Sequence, residues 1–234
     1  MTAETGLLAL SAAMIGVVHT LAGPDHYLPF IALQQSRKWS IKKTLSITAA
    51  CSLGHTGSSL LIGMAGVVLG LGLKNMNIIE GVRGDWAAWL LFVFGLVYCA
   101  YGLYRSWKHP RIHQAMQTED NNHEHQHIRQ EKLGSPSRHI HAATPWILFI
   151  IFVLGPCEPL IPLLMVPSMQ ANWIGLGMVG SAFMLTTMLT MTGIVYLLVK
   201  GLEIRPHWNT ARYAHLIAGA IITLCGAGML FFGL

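Results

Sequence analysis

Charge is scarce in this sequence, since only 11% of its 234 residues are Asp, Glu, Lys or Arg, while 53% are apolar. Together with a mean hydropathy of +0.51, this scarcity argues against an ordinary soluble domain. The four cysteines all lie in predicted helices, so no extracellular disulfide framework is expected. No GxxxxGK[ST] string occurs, so we do not expect ATP to power the chain directly. The leader MTAET has no Lys or Arg, so we expect the first apolar run to be retained as a helix rather than cleaved.

Long apolar runs are abundant instead. A helix needs about 20 apolar residues to cross a bilayer, and the sequence predicts an all-α integral membrane protein with six transmembrane helices. The helices fall into a first three-helix unit (1–106), a polar loop (107–144) and a second three-helix unit (145–234). The predicted spans are 6–34, 45–73, 86–106, 145–169, 173–200 and 213–233.

The basic residues are distributed unevenly between the connections. Thirteen of the fifteen Lys and Arg residues fall in connections 1–2, 3–4 and 5–6, and only Lys74 and Arg83 fall on the opposite side. The positive-inside rule then places both termini outside and the long loop in the cytoplasm of a bacterial-type inner membrane. This asymmetry accounts for the pI of about 9.2, so nucleic acid is not an expected partner.

One short motif occurs in similar form in both units. GPDHYLP (23–29) in the first predicted helix is similar to GPCEPLIP (155–162) in the fourth. Three crossings per unit make the second unit inverted, and helices broken at corresponding positions of inverted repeats point to a transport site near the bilayer midplane. We therefore predict proline-broken helices 1 and 4, with the carbonyls of Thr20, Asp25 and Glu158 freed by the prolines that follow them.

Ionisable side chains cluster around these breaks. Such groups are costly inside a membrane and mark pathways for ions. Imidazole nitrogen together with carboxylate oxygen suits nickel, cobalt, zinc or ferrous iron and suits alkali ions poorly. A histidine that only bonds across helices, or a cysteine that only packs, is the structural alternative. The candidate metal ligands are Asp25, His26, His55, His19, Glu158 and Cys157.

The loop between helices 3 and 4 contains seven of the twelve histidines, within polar sequence such as EDNNHEHQH. Such a composition cannot form a packed core, so disorder is expected. His-rich tracts bind divalent metals loosely, whereas the alternative is a solvated loop without a specific role. His123, His125 and His127 are the loop's candidate metal ligands.

The motifs resemble those of a known family. HTLAGPDH (19–26) resembles the His–Asp–His signature of the nickel/cobalt transporter family, and SLGHTGSS (52–59) resembles its second-helix motif. Six helices with a His-rich loop are similar to the nickel/cobalt efflux permeases and the small urease-associated nickel permeases of the same superfamily. The resemblance implies Ni²⁺ or Co²⁺ transport, with Asp25, His26 and His55 as the strongest positions. Five residues separate His19 from Asp25 where the family pattern has four, which turns His19 by about 100° on a regular helix.

Two other functions stay open. GPCEP (155–159) also resembles the break in membrane thiol-disulfide electron carriers of this superfamily, which requires Cys51 to meet Cys157. A sulfite or other anion exporter is the third hypothesis, although an acid in each break disfavours an anion. We expect a transporter rather than an enzyme, in contact with lipid and without a permanently bound cofactor, that carries Ni²⁺ or Co²⁺, with Zn²⁺ or Fe²⁺ also compatible. The loop's length favours export over import, and the oligomeric state stays open.

Overall fold

A computed structural model describes residues 3–108, 137–170, 172–203 and 213–233, and these residues form helices joined by short turns, without a β-strand. The predicted loop histidines, His123, His125 and His127, lie outside the described residues. The helices are α1 (Ala3–Ala22), a 3₁₀ turn (Pro24–His26), α2 (Leu28–Arg37), α3 (Ile41–Val68), α4 (Leu73–Lys108), α5 (Ser137–Leu154), α6 (Leu160–Met169), α7 (Trp173–Glu203) and α8 (Ala214–Phe232).

Five of the described helices, α1, α3, α4, α7 and α8, are long and apolar enough to cross a membrane. Large apolar side chains cover their outer surfaces, and in water these would form a patch far larger than soluble monomers expose. This architecture is that of an all-α membrane protein, as predicted. Apolar side chains more than 60% exposed include Leu7, Leu61, Val97, Leu189 and Leu224.

The predicted break in the first span is confirmed. α1 ends at Ala22, where the Gly23 N–H bonds the His19 carbonyl at 3.1 Å, and α2 begins at Leu28. Pro24 and Pro29 stand in the first turn of the 3₁₀ turn and of α2. A missing N–H costs little there, because a first-turn N–H has no partner within its helix. The prolines therefore start new helices rather than kinking one continuous helix.

The fourth predicted span is also divided. α5 ends at Leu154, and the Gly155 N–H closes it on the Ile151 carbonyl at 3.0 Å. The chain then turns through residues 155–159, and α6 starts at Leu160 with Pro159 as its N-cap. Each of these two helices is shorter than the membrane-length helices. Both repeated motifs thus lie at helix breaks.

The third predicted span is longer than expected. It begins at Leu73 rather than at residue 86. Lys74 and Asp85 are exposed, while Glu80 and Arg83 form an ion pair with each other. A span predicted from apolar residues alone ends where these charges begin. A helix accommodates such charges when the exposed ones are solvated and the inward ones are paired. The segment 107–144 was predicted to be a loop, but α4 continues to Lys108 and α5 begins at Ser137, so both helices extend into it.

Helices α4 and α8 pack through glycines. A Cβ on Gly95 would lie 2.4 Å from the Thr223 backbone nitrogen, and a Cβ on Gly219 would lie 2.4 Å from the Cys99 backbone nitrogen. Small residues allow membrane helices to approach backbone to backbone. The contacts pair a rising residue number in α4 with a falling one in α8, so the helices are antiparallel.

The buried interior has two apolar clusters. The larger contains Phe30 of α2, Phe152 of α5 and Val199 of α7, and the smaller contains Cys157 between α5 and α6 and Phe183 of α7. Both helix breaks contribute to the wall of one cavity, which the side chains of Asp25 and His26 also line.

Candidate metal centre

Three imidazoles and one thiol converge at the helix breaks. The ring centroid of His26 lies 4.9 Å from that of His19 and 5.1 Å from that of His55. The rings of His19 and His55 are nearly parallel, with centroids 6.4 Å apart. The Cys157 Sγ lies 3.9 Å from His19 Nε2, and the ligand atoms of His19, His55 and Cys157 all lie within 4.8 Å of one another.

The spacing is close to that of a metal site. Tetrahedral coordination with bonds of about 2.0–2.3 Å holds neighbouring ligand atoms roughly 3.3–3.8 Å apart. The 3.9 Å between Cys157 Sγ and His19 Nε2 is near this range, and the group as a whole needs to contract by about an ångström to enclose an ion. Rotation of side chains is sufficient for a change of this size.

The first break brings His19 and His26 together. His19 lies in the last turn of α1, and His26 lies in the 3₁₀ turn. The His26 N–H donates to the Gly23 carbonyl at 3.1 Å. A Cβ on Gly23 would lie 2.4 Å from His26 Nδ1, so the turn leaves no room for a side chain there. The glycine therefore allows the His26 ring to fold back towards His19.

His55 presents one nitrogen to the site. Its Nδ1 lies 3.3 Å from the Phe152 carbonyl, which only accepts, so Nδ1 carries the proton. Its Nε2 is buried and has no hydrogen-bond partner among the described residues. Metal-binding histidines typically donate one N–H to a carbonyl while the other nitrogen ligates. The orphaned Nε2 is therefore buried and carries no proton, as a metal ligand requires.

Asp25 lies beside the cluster rather than within it. Its Oδ1 is 3.2 Å from His26 Nδ1, and its side chain is mostly buried. Neither Asp25 nor His26 is a member of the group formed by the ligand atoms of His19, His55 and Cys157. The contact is an ion-pair distance rather than a hydrogen bond, since Asp25 Oδ1 and both His26 nitrogens have no hydrogen-bond partner among the described residues. A carboxylate in this place would balance part of the charge of a cation.

Glu158 lies apart from the imidazoles. Its side chain is exposed, although it contributes to the walls of two cavities. One is the site cavity, and the other is lined by Asn77, Glu80 and Pro162 as well. The position therefore suits attraction of a cation at the margin of the site, and a role as direct ligand stays a prediction.

The cavity at the site has a volume of about 300 Å³. Both helix breaks contribute to its wall, and it continues past Ala87 and Leu91 of α4 to Met229 and Gly233 at the end of α8. It holds the imidazole cluster at one side and apolar surface at the other. The polar side chains in its lining are His19, Asp25, His26, His55 and Glu158.

Sequence reasoning missed Glu80, which is 1% exposed. Its Oε1 is ion-paired with Arg83, and its Oε2 accepts from the Ser59 hydroxyl at 3.1 Å and from the Cys157 N–H at 3.2 Å. The carboxylate therefore takes up a backbone donor that the second break leaves without a helical partner. This matters because an unpaired backbone group in a membrane costs several kcal/mol.

Arg83 was also missed, since it was counted among the charges of a connection. Its Nη2 donates to the Val153 carbonyl at 2.8 Å and to the Gly155 carbonyl at 3.3 Å. The carbonyls of Val153 and Gly155 at the second break are thus bound by Arg83 rather than left free for an ion. The carbonyl that was predicted to be free is a different one, that of Glu158. The signal in the sequence was an acid and a base three residues apart, next to an apolar run.

The chain was compared with family models, with curated proteins and with solved structures, and none of them matches it.

Proposed function

We propose that the chain is a membrane transporter of divalent transition-metal cations, with Ni²⁺ or Co²⁺ as the cargo. The observation that carries this proposal is the convergence of His19, His26 and His55 on one cavity inside a bundle of membrane-length helices, with the Cys157 thiol 3.9 Å from His19 Nε2. Ionisable groups at such depth are rare unless they serve a substrate pathway. Metal binding also gives the buried, partnerless His55 Nε2 a function.

The chemistry of the donors favours these ions. Imidazole nitrogen and thiolate sulfur bind Co²⁺, Ni²⁺, Zn²⁺ and Fe²⁺ well, whereas Mg²⁺ and Ca²⁺ prefer oxygen. Asp25 adds negative charge next to His26, which offsets part of the cost of placing a divalent cation in the interior. The resemblance of HTLAGPDH and SLGHTGSS to nickel/cobalt transporter motifs favours Ni²⁺ and Co²⁺ within this set.

The mechanism we propose is alternating access of two inverted three-helix repeats. Several features support it: a helix break in the first and in the fourth predicted span, α1 packed against α7, α3 packed against α5 and α6, and the central contact of α4 with α8. These contacts are the ones that exchange under an inverted repeat. With both termini outside a bacterial-type inner membrane, as the positive charges indicate, the His-rich loop lies in the cytoplasm.

The cavity distinguishes the two ends of the bundle. It reaches Gly233, which the proposed orientation places on the outer side. Towards the other end, Phe152 of the cavity wall packs on Phe30 with ring centroids 4.9 Å apart, and the apolar cluster continues to Val199 and Ala218. The described conformation then corresponds to an outward-facing state that is closed to the cytoplasm.

The alternative functions find less support. A thiol-disulfide carrier needs two cysteines that meet, whereas Cys157 lies beside His19 and Cys51 belongs to the other apolar cluster. An anion exporter needs positive charge at the cavity, whereas Asp25 and Glu158 line it and Arg83 is neutralised by an acid. For direction we propose export, on the length of the His-rich loop, with import as the alternative outcome.

Transport in liposomes tests this proposal. Purified protein is reconstituted around a metal-quenched fluorophore, and Co²⁺ or Ni²⁺ is added outside. We expect entry of metal with wild type and with Cys99→Ser, a cysteine change outside the site, and at least tenfold slower entry with His55→Ala. Wild-type liposomes no more permeable than empty ones, or unchanged transport by His55→Ala, would contradict the proposal.

A further inference from the structure

The Glu80–Arg83 ion pair holds the two halves of the candidate site together. We propose that this ion pair is a positioning device, which fixes the Cys157 thiol and the His55 ring relative to each other. The sulfur can then bind the same ion as the imidazoles. This inference rests on the proposed metal-transport function and assigns roles to two residues outside the ligand set.

The first step of the argument concerns the thiol. Cys157 lies in the turn between α5 and α6, where no helix fixes the backbone. Its N–H bonds Glu80 Oε2 at 3.2 Å, and the carbonyl of Gly155 accepts from Arg83 at 3.3 Å. Hydrogen bonds to charged groups are the stronger ones. The position of Sγ relative to His19 therefore depends on a pair of side chains from α4.

The second step concerns His55, which is joined to the same segment twice. Its ring bonds the Phe152 carbonyl at 3.3 Å, and its backbone carbonyl lies 2.9 Å from the Ser58 hydroxyl. That hydroxyl also lies 2.8 Å from the Val153 carbonyl and accepts from Arg83 Nη2 at 2.8 Å. One guanidinium thus ties the turn of α3 that carries His55 to the end of α5.

The third step concerns why arginine is needed. A planar guanidinium donates in several fixed directions, and here it reaches a carboxylate, the hydroxyls of Ser58 and Ser59 and two carbonyls at once. The ammonium of lysine has the same charge but is a point donor without the fork geometry. Arg83→Lys therefore keeps the charge balance of Glu80 and removes the geometry, which isolates positioning from simple charge.

Cobalt spectroscopy of the purified full-length protein tests the inference. Co²⁺ bound by thiolate has a charge-transfer absorption in the near ultraviolet, and Co²⁺ bound by imidazoles has weaker visible bands. We expect both in wild type and in Cys99→Ser, and only the visible bands in Cys157→Ser. In Arg83→Lys we expect the charge-transfer absorption to be lost relative to the visible bands, with Co²⁺ affinity about 10–100-fold lower.

Each outcome separates the inference from the proposed function. An Arg83→Lys protein with wild-type bands and affinity overturns the positioning role while the metal site stands. Visible bands without charge transfer in wild type remove Cys157 from the ligands and overturn the inference alone. Absence of Co²⁺ binding by wild type overturns both. If Arg83→Lys does not fold, the double variant Ser58→Ala, Ser59→Ala decides, because it removes both α3 hydroxyls that contact Arg83 but leaves the ion pair. A weakened charge-transfer band then supports the inference, and an unchanged one overturns it.

Discussion

The contact between α4 and α8 yields a prediction that follows directly from geometry. A Cβ on Gly102 would lie 2.5 Å from the backbone nitrogen of Leu216 and 2.7 Å from its Cα. Backbone atoms of a helix cannot rotate away as the end of a side chain can. An alanine at this position therefore forces the two helices apart along their whole interface.

The magnitude follows from two opposing terms. Overpacking a well-packed interior costs about 1–3 kcal/mol, and the rigid backbone neighbours place Gly102→Ala towards the upper end. Alanine returns up to about 1 kcal/mol because it is the better helix former. We expect a net loss of about 2 kcal/mol in the free energy of unfolding, measured as a lower melting temperature in detergent by intrinsic tryptophan fluorescence.

The matched control lies in the same helix. A Cβ on Gly81 would meet nothing within 4 Å, so Gly81→Ala should be neutral or stabilise by up to about 1 kcal/mol. Equal melting temperatures for Gly102→Ala and wild type would refute the close backbone packing of α4 on α8.

Two further predictions concern polar contacts. The Tyr98 hydroxyl contacts Ser36 at 3.1 Å and His215 at 3.0 Å, so Tyr98→Phe should lower the free energy of unfolding by about 1–3 kcal/mol. Melting curves of Tyr98→Phe and of the neighbouring Tyr101→Phe check this. Equal shifts in melting temperature for the two variants would contradict it. The carboxylate of Asp25 lies 3.2 Å from the ring of His26, so Asp25→Asn should lower Co²⁺ affinity about 10–100-fold without a change in melting temperature. Unchanged affinity in equilibrium dialysis would contradict its role in balancing the charge of the ion.

The helix breaks could be predicted from the sequence because their signal is local. Proline and glycine act on their own backbone, so Gly23-Pro24 and Gly155-Pro156 mark the ends of α1 and α5 wherever the helices pack. The five membrane-length helices were recognisable for a similar reason, since length and apolar composition are properties of each segment alone. The division of the fourth predicted span into the short helices α5 and α6 follows from Gly155-Pro156 in the same way.

His19 shows where local reasoning stops. On a continuous helix His19 and His26 would lie on one face but two turns, about 10.5 Å, apart along the axis, whereas α1 ends at Ala22. The 3₁₀ turn that follows brings the two rings to 4.9 Å. The geometry of an interrupted helix depends on where each segment packs, and spacing rules for regular helices do not give it.

Glu80 and Arg83 show a different limit. Each was a charge on the polar side of an apolar run, and nothing in a hydropathy window separates a solvated charge from one that binds a distant backbone. Their partners include Cys157, Val153 and Gly155, which are 70 to 77 residues away. Only the folded bundle brings the unpaired backbone groups of the second break to these side chains.

The metal content of cells tests the central claim most directly. Cells that lack their own nickel and cobalt transporters would express wild type, Asp25→Asn or His55→Ala, with equal membrane insertion verified, and nickel, cobalt, zinc and iron would be measured by elemental mass spectrometry. The account predicts a changed nickel or cobalt content with wild type that both variants abolish, and lower content means export whereas higher content means import. Unchanged content of all four metals with a correctly inserted wild-type protein would contradict it.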